Sequence, residues 1–106
     1  MASCATDYSR SAASKGRLDA RADLRDGKLI TETAGFQAPW LSTNTRLLRE
    51  RYGIELRMVA GCVVTPKILG HIHGYNEVMD VEIERRFGRN VFERTATEAE
   101  RIGPHN

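Results

Sequence analysis

The stretch Gly70-His71-Ile72-His73-Gly74-Tyr75-Asn76-Glu77 gathers the densest set of reactive side chains in the sequence. What it can do depends on the backbone that carries it. On a strand, residues two apart share a face, so His71 and His73 would offer two imidazole nitrogens to one metal, with Glu77 as a third ligand. On a helix the same two histidines stand about 200° apart and cannot chelate one ion. Cys62 lies in the apolar run Ala60-Gly61-Cys62-Val63-Val64. A nucleophilic thiol there needs a cationic neighbour or a helix N-terminus; without one it is a small buried hydrophobe. Trp40, after Phe36 and Pro39, makes an aromatic corner that would serve as a pocket wall, an interface anchor or a cap on the core. Tyr75 and Asn76 bring hydrogen-bonding groups to a cleft or to a polar turn. The candidate ligand-binding set is therefore Trp40, Cys62, His71, His73, Tyr75 and Asn76. The metal alternative is His71, His73 and Glu77, and no catalytic residue or cofactor is assigned.

The His-x-His-x3-Glu spacing of His71, His73 and Glu77 resembles the metal-binding stretch of the cupin family. That resemblance implies a transition metal held by two His and a Glu inside a β-barrel. It spans only about seven residues, and the flanking glycines and later Pro-x-Gly of that family are absent, so the barrel is not carried over. The sequence holds no P-loop, dinucleotide fingerprint, CxxC pair or Ser-His-Asp order.

The elements that must position these residues follow from periodicity and punctuation. Residues 1–16 are rich in Ser and Ala without apolar periodicity and read as a disordered arm. Leu24-Arg25-Asp26-Gly27-Lys28-Leu29 puts Asp-Gly where a two-residue hairpin turn would want it, between a first arm over 18–25, which could equally be a short helix, and a second over 28–33. Pro39 and the spacing of Leu41, Leu47, Leu48 and Tyr52 predict a helix over 40–52 ended by Gly53. Residues 54–64 alternate at first and then turn apolar on both sides, as a core strand does. Thr65-Pro66 is a helix start, predicting a helix over 66–73 closed by Gly74, with a strand over 67–75 as the alternative. Met79, Ile83 and Phe87 make a further helix ending at Gly88, and Phe92, Ala96, Ala99 and Ile102 a last one ending at Gly103. The expected architecture is a single α+β domain over 17–103: an N-terminal hairpin plus one core strand, with about four helices packed on one face. Residues 104–106 are a tail.

Composition limits the functions this frame could serve. The chain has 106 residues, 41% of them hydrophobic and 28% charged, so it is neither collagen-like nor wholly disordered, and its most apolar stretch is too short to span a bilayer. A net charge of +2 is too small to demand a nucleic acid or an anionic membrane. Two cysteines are too few for a disulfide framework, which points to a reducing, cytoplasmic setting. A domain this short buries roughly 60 to 70% of its unfolded surface, so a homo-oligomer, most simply a dimer, is expected. The resulting expectation is a soluble homo-oligomeric protein that binds a small molecule or a partner between core strand and helices. Its rivals are a metal- or thiol-dependent enzyme using His71, His73, Glu77 and Cys62, and a regulatory or nucleic-acid-binding module using the Arg-rich helix from Arg46 to Arg51.

Overall fold

The computed structural model of the chain describes residues 4–34, 39–60 and 64–103. Its elements run α1 (Cys4–Arg25), β1 (Leu29–Ala34), α2 (Leu41–Tyr52), β2 (Ile54–Ala60), α3 (Pro66–Phe87) and α4 (Val91–Ile102). The α+β class holds, but no N-terminal hairpin exists. Asp26-Gly27 is indeed a turn, with Gly27 at a φ of 79°. It joins a helix to a strand: the Gly27 N–H donates to the Leu24 carbonyl at 3.0 Å and the Lys28 N–H to that of Asp23 at 2.9 Å. These bonds satisfy carbonyls that the end of α1 leaves without partners.

Helix α1 also overturns the expected disordered arm. The low apolar content of residues 4–16 was misleading, because small residues let two backbones approach closely. Ala12, Gly16 and Ala20, four apart, are buried against α3. A Cβ added at Gly74 would collide with the backbone of Ala13, and one added at Gly16 with the backbone of His71 and, at 2.8 Å, the Tyr75 nitrogen. Gly74 is therefore not a helix stop. It is the crossing point of a single 22-residue helix that fuses the helix expected over 66–73 with the one expected to end at Gly88. The start of that helix is as Thr65-Pro66 predicts: the Thr65 hydroxyl accepts from the Ile68 N–H at 3.2 Å, with Pro66 at the first position.

The strands β1 and β2 pair in parallel, Leu29 opposite Ile54 through Thr33 opposite Met58, after which the register skips Val59 and places Ala34 opposite Ala60. The connection between them contains α2, which ends on Gly53 at a φ of 68° and hands the chain directly to β2. Helices meet both faces of this pair, not one. Thr33, Leu56 and Met58 share a recess with Leu41 and Thr45 of α2, whereas Glu32 and Arg57, on the alternate face, meet His71 and Tyr75 of α3. The core between these layers is built on Ile30, Leu48, Ile54, Tyr75, Met79, Ile83 and Val91. In α4 the buried stripe is Val91, Thr95 and Ala99, and the expected stripe residue Ile102 is 48% exposed. The C-terminal end of α4 is tied to α2 by the Thr43 hydroxyl, which donates to the Gly103 carbonyl at 2.7 Å.

Candidate functional site

Three of the residues singled out by sequence, His71, Tyr75 and Asn76, come together where α3 crosses β1 and α1. They lie within one helical turn and a half, so a helix puts them on neighbouring ridges, His71 and Asn76 meeting Glu32 of β1 and Tyr75 meeting Asp23 of α1. His71 Nδ1 is 2.7 Å from Glu32 Oε1 and its Nε2 is 2.8 Å from Asp19 Oδ2. With a carboxylate oxygen on each side, both ring nitrogens can donate only in the imidazolium form, which the two acceptors therefore favour. Burial depresses the His71 pKa, but the hydrogen bonds and charges of Asp19 and Glu32 outweigh it and leave it raised. The same bond from His71, helped by Lys15, lowers the Asp19 pKa.

Around this clamp the remaining polar groups are also satisfied from within the chain. The Tyr75 hydroxyl donates to Asp23 Oδ2 at 2.5 Å, and burial, together with that carboxylate, raises its pKa. Arg57 lies over the Tyr75 ring, 5.9 Å from its centroid, and 3.7 Å from Glu32. Asn76 donates to the Glu32 carbonyl at 2.8 Å and accepts from the Glu32 N–H at 2.8 Å. With both nitrogens of His71 and both ends of the Asn76 amide engaged, neither side chain keeps a free lone pair for a metal or for proton abstraction. Its chemistry is to hold α1, β1, β2 and α3 together.

The other expected site residues fall elsewhere. His73 is exposed on α3, on the far side of the helix from His71, as a helical backbone requires. Glu77 is exposed and pairs with Arg17 at 3.3 Å. The His71, His73 and Glu77 metal set, and with it the cupin resemblance, is thereby excluded, and no other metal-binding group occurs among the described residues. Trp40 is half-buried at the start of α2, and no hydrogen bond or ring contact joins it to the cluster among the described residues. Cys62 lies outside the described residues. Two of the three arginines of α2 are paired within the chain: Arg46 with Glu50 at 3.2 Å, and Arg51 with Glu98 of α4 through both terminal guanidinium nitrogens. Asp19, Asp23, Glu32 and Arg57 were not anticipated, although a glutamate inside Leu29-Ile30-Thr31-Glu32, a strand buried on both faces, was a visible signal.

A second feature is the difference between the two outer edges of the sheet. Asn76 takes both peptide groups of Glu32, so these point away from β2 and the outer edge of β1 is closed at that point. Alternation then turns the peptide groups of Thr31 towards β2. In a parallel ladder the residue opposite an inward-facing one faces outward, which turns the N–H and C=O of Leu56 and Met58 to the outer edge of β2, whereas Ile54, in the same orientation, is fully buried. Among the described residues no further strand pairs with that edge. Met58 and Val59 are 36% and 37% exposed beside it. Two shallow recesses flank it, one of about 140 Å³ lined by Thr33, Leu41, Ser42, Thr45, Leu56 and Met58, and one of about 310 Å³ lined by Thr45, Arg49, Glu55 and Leu56.

In comparisons with known proteins, no family model, no curated sequence and no solved structure matches this chain. No described helix is long and apolar enough to cross a membrane. The functional reading therefore rests on the geometry.

Proposed function

We propose that this chain is a small, self-associating binding module, and that its working surface is the outer edge of β2 with the adjoining flank of α2. The observation that carries this reading is the contrast between the two edges: one is closed by Asn76, the other presents outward peptide groups next to Leu56, Met58 and Val59. An edge of that kind accepts an extended strand from a partner, with main-chain bonds supplying affinity and side recesses supplying specificity. The recesses favour a polypeptide over a small molecule, since about 140 and 310 Å³ lie below or at the foot of the range for enclosed ligand pockets. The pocket between core strand and α3, where a ligand was expected, is filled by the His71, Tyr75 and Asn76 contacts. The enzyme reading loses its paired-histidine version with the helical α3.

Selection of randomised displayed peptides on sparsely immobilised chain tests this reading. Leu56→Pro is the counter-selection, because it deletes an outward N–H and leaves the β1–β2 ladder its bonds. Enrichment of alternating apolar and polar segments on the parent chain and not on Leu56→Pro is the expected outcome. Equal enrichment on both, or none on either, would overturn the proposal.

A further inference from the structure

We infer that the strand received by the β2 edge is a segment of a partner protein that runs antiparallel to β2 and carries an apolar residue followed two positions later by Asp or Glu. This deepens the reading of the β2 edge given above, on which it rests, by naming the partner's chemistry, direction and register. The two recesses beside the edge share Thr45 and Leu56, so they form one groove between β2 and α2. Its two ends differ in character. Towards Leu41 and Met58 the lining is largely apolar, and the Thr45 hydroxyl is already engaged, donating to the Leu41 carbonyl at 2.9 Å. Towards Leu56 and Glu55 the α2 wall is Arg49. Arg46 and Arg51 are committed to Glu50 and Glu98, whereas Arg49 is exposed and, among the described residues, has no hydrogen bond or ion pair. Glu55 lines the same recess from β2, but its carboxylate has Arg57 at 3.9 Å, so the charge left without a partner there is the Arg49 guanidinium.

The spacing of the groove matches an extended chain independently of charge. Leu41, Thr45 and Arg49 are four apart on α2, an advance of about 6 Å per step, and Met58 and Leu56 are two apart on β2, about 6.6 Å. Alternate side chains of an added strand are also about 6.6 Å apart, so one falls in each recess. An antiparallel strand meets Met58 first and then Leu56, and both present outward peptide groups, so two of its residues become hydrogen-bonded pairs with about four inter-chain bonds. Residues directly opposite share a face, so the partner's two side chains lie with Met58 and Leu56 on the side of α2. The first enters the apolar end and the second stands beside Arg49. The residue between them faces the other way and asks nothing of Arg57, which stays with Glu32 and the Tyr75 ring. Pairing stops after Leu56, because Ile54 is fully buried, so the acidic residue is the last one held.

Titration of acetylated, amidated pentapeptides into the isotope-labelled full chain, followed by backbone amide shifts, tests this. The probe is Thr-Val-Thr-Glu-Thr, set against the same peptide with Lys in place of Glu and against Thr-Glu-Thr-Val-Thr, in which the order is reversed. At low salt the probe should shift the Leu56 and Met58 amides and bind about threefold or more tighter than either control. On Arg49→Glu the preference between the Glu and Lys peptides reverses, whereas Arg89→Glu, the same change of charge at a residue lining neither recess, keeps it. Arg49→Gln removes the preference and carries the test if Arg49→Glu unfolds the chain. Equal binding of all three peptides, tighter binding of the reversed one, a preference untouched at Arg49, or no shift with any of them at millimolar concentration overturns the inference. Displayed peptides that are lost on Leu56→Pro yet lack an acid two positions after the apolar residue would overturn it while the edge reading stands; equal enrichment on Leu56→Pro removes the edge reading itself.

Discussion

At the scale of single residues, Asn76 does for β1 what a neighbouring strand would do, offering one donor and one acceptor to the two peptide groups of Glu32. Asn76→Ala leaves both groups without a partner at a half-buried position, and a loss of about 2 kcal/mol in urea unfolding is expected. Asn76→Asp keeps the acceptor but sets a charge against the Glu32 carbonyl. It should cost more than Asn76→Ala at pH 7, and the gap should narrow near pH 4 as the new carboxyl takes up a proton. The opposite ordering at pH 7 would show that the donor half of the amide is unimportant. Part of this cluster was legible before any fold was known, because His71, Tyr75 and Asn76 are neighbours in sequence and carry recognisable chemistry. Their partners were not, since Asp19, Asp23 and Glu32 reach them across some forty to fifty positions, and no local pattern records a pairing of that length.

At the scale of elements, the strands and α2 were readable because alternation, Pro39 and Gly53 all act within a few residues of the structure they specify. The α1–α3 pair was not, and the reason is physical: glycine is read as a breaker because it costs a helix about 1 kcal/mol relative to Ala, whereas here that cost is offset by backbone-to-backbone packing. Gly16 and Gly74 sit where each helix crosses the other's main chain. Substitution by Ala should raise intrinsic helicity at either position and still destabilise the fold by about 2 kcal/mol or more, since the obstructing atoms are backbone and cannot swing aside. Thermal unfolding of Gly16→Ala and Gly74→Ala checks this. A gain in stability from either variant would mean that the helices separate readily and that the crossing is not tightly set. The stripe Ala12, Gly16, Ala20 is what buries α1, and apolar periodicity built on large side chains passes over it.

At the scale of the whole molecule, the titrating groups place greatest stability on the acid side of neutral. Hydrogen bonds and charge from Arg51 hold Glu98 below its usual range, Arg85 and Arg86 hold Glu82 at about 2, and His71 and Lys15 lower Asp19. Stabilisation from these three carboxylates is present above the ordinary carboxylate range and is lost as pH falls through it. Asp80 runs the other way: burial, with Glu84 adding repulsion, pushes its pKa up to about 6. The folded chain keeps that proton after the unfolded chain has released it, so stability declines between about pH 4 and pH 6, by at most about 3 kcal/mol. His71 has a raised pKa, so the imidazolium clamp between Asp19 and Glu32 contributes fully below the ordinary histidine value of 6.5 and is lost as pH rises through the folded value. Urea midpoints between pH 3 and pH 9 should therefore peak near pH 5. Asp80→Asn should raise stability at pH 7 and flatten the decline between pH 4 and 6, while His71→Gln should flatten the limb above neutrality and lower stability at pH 5.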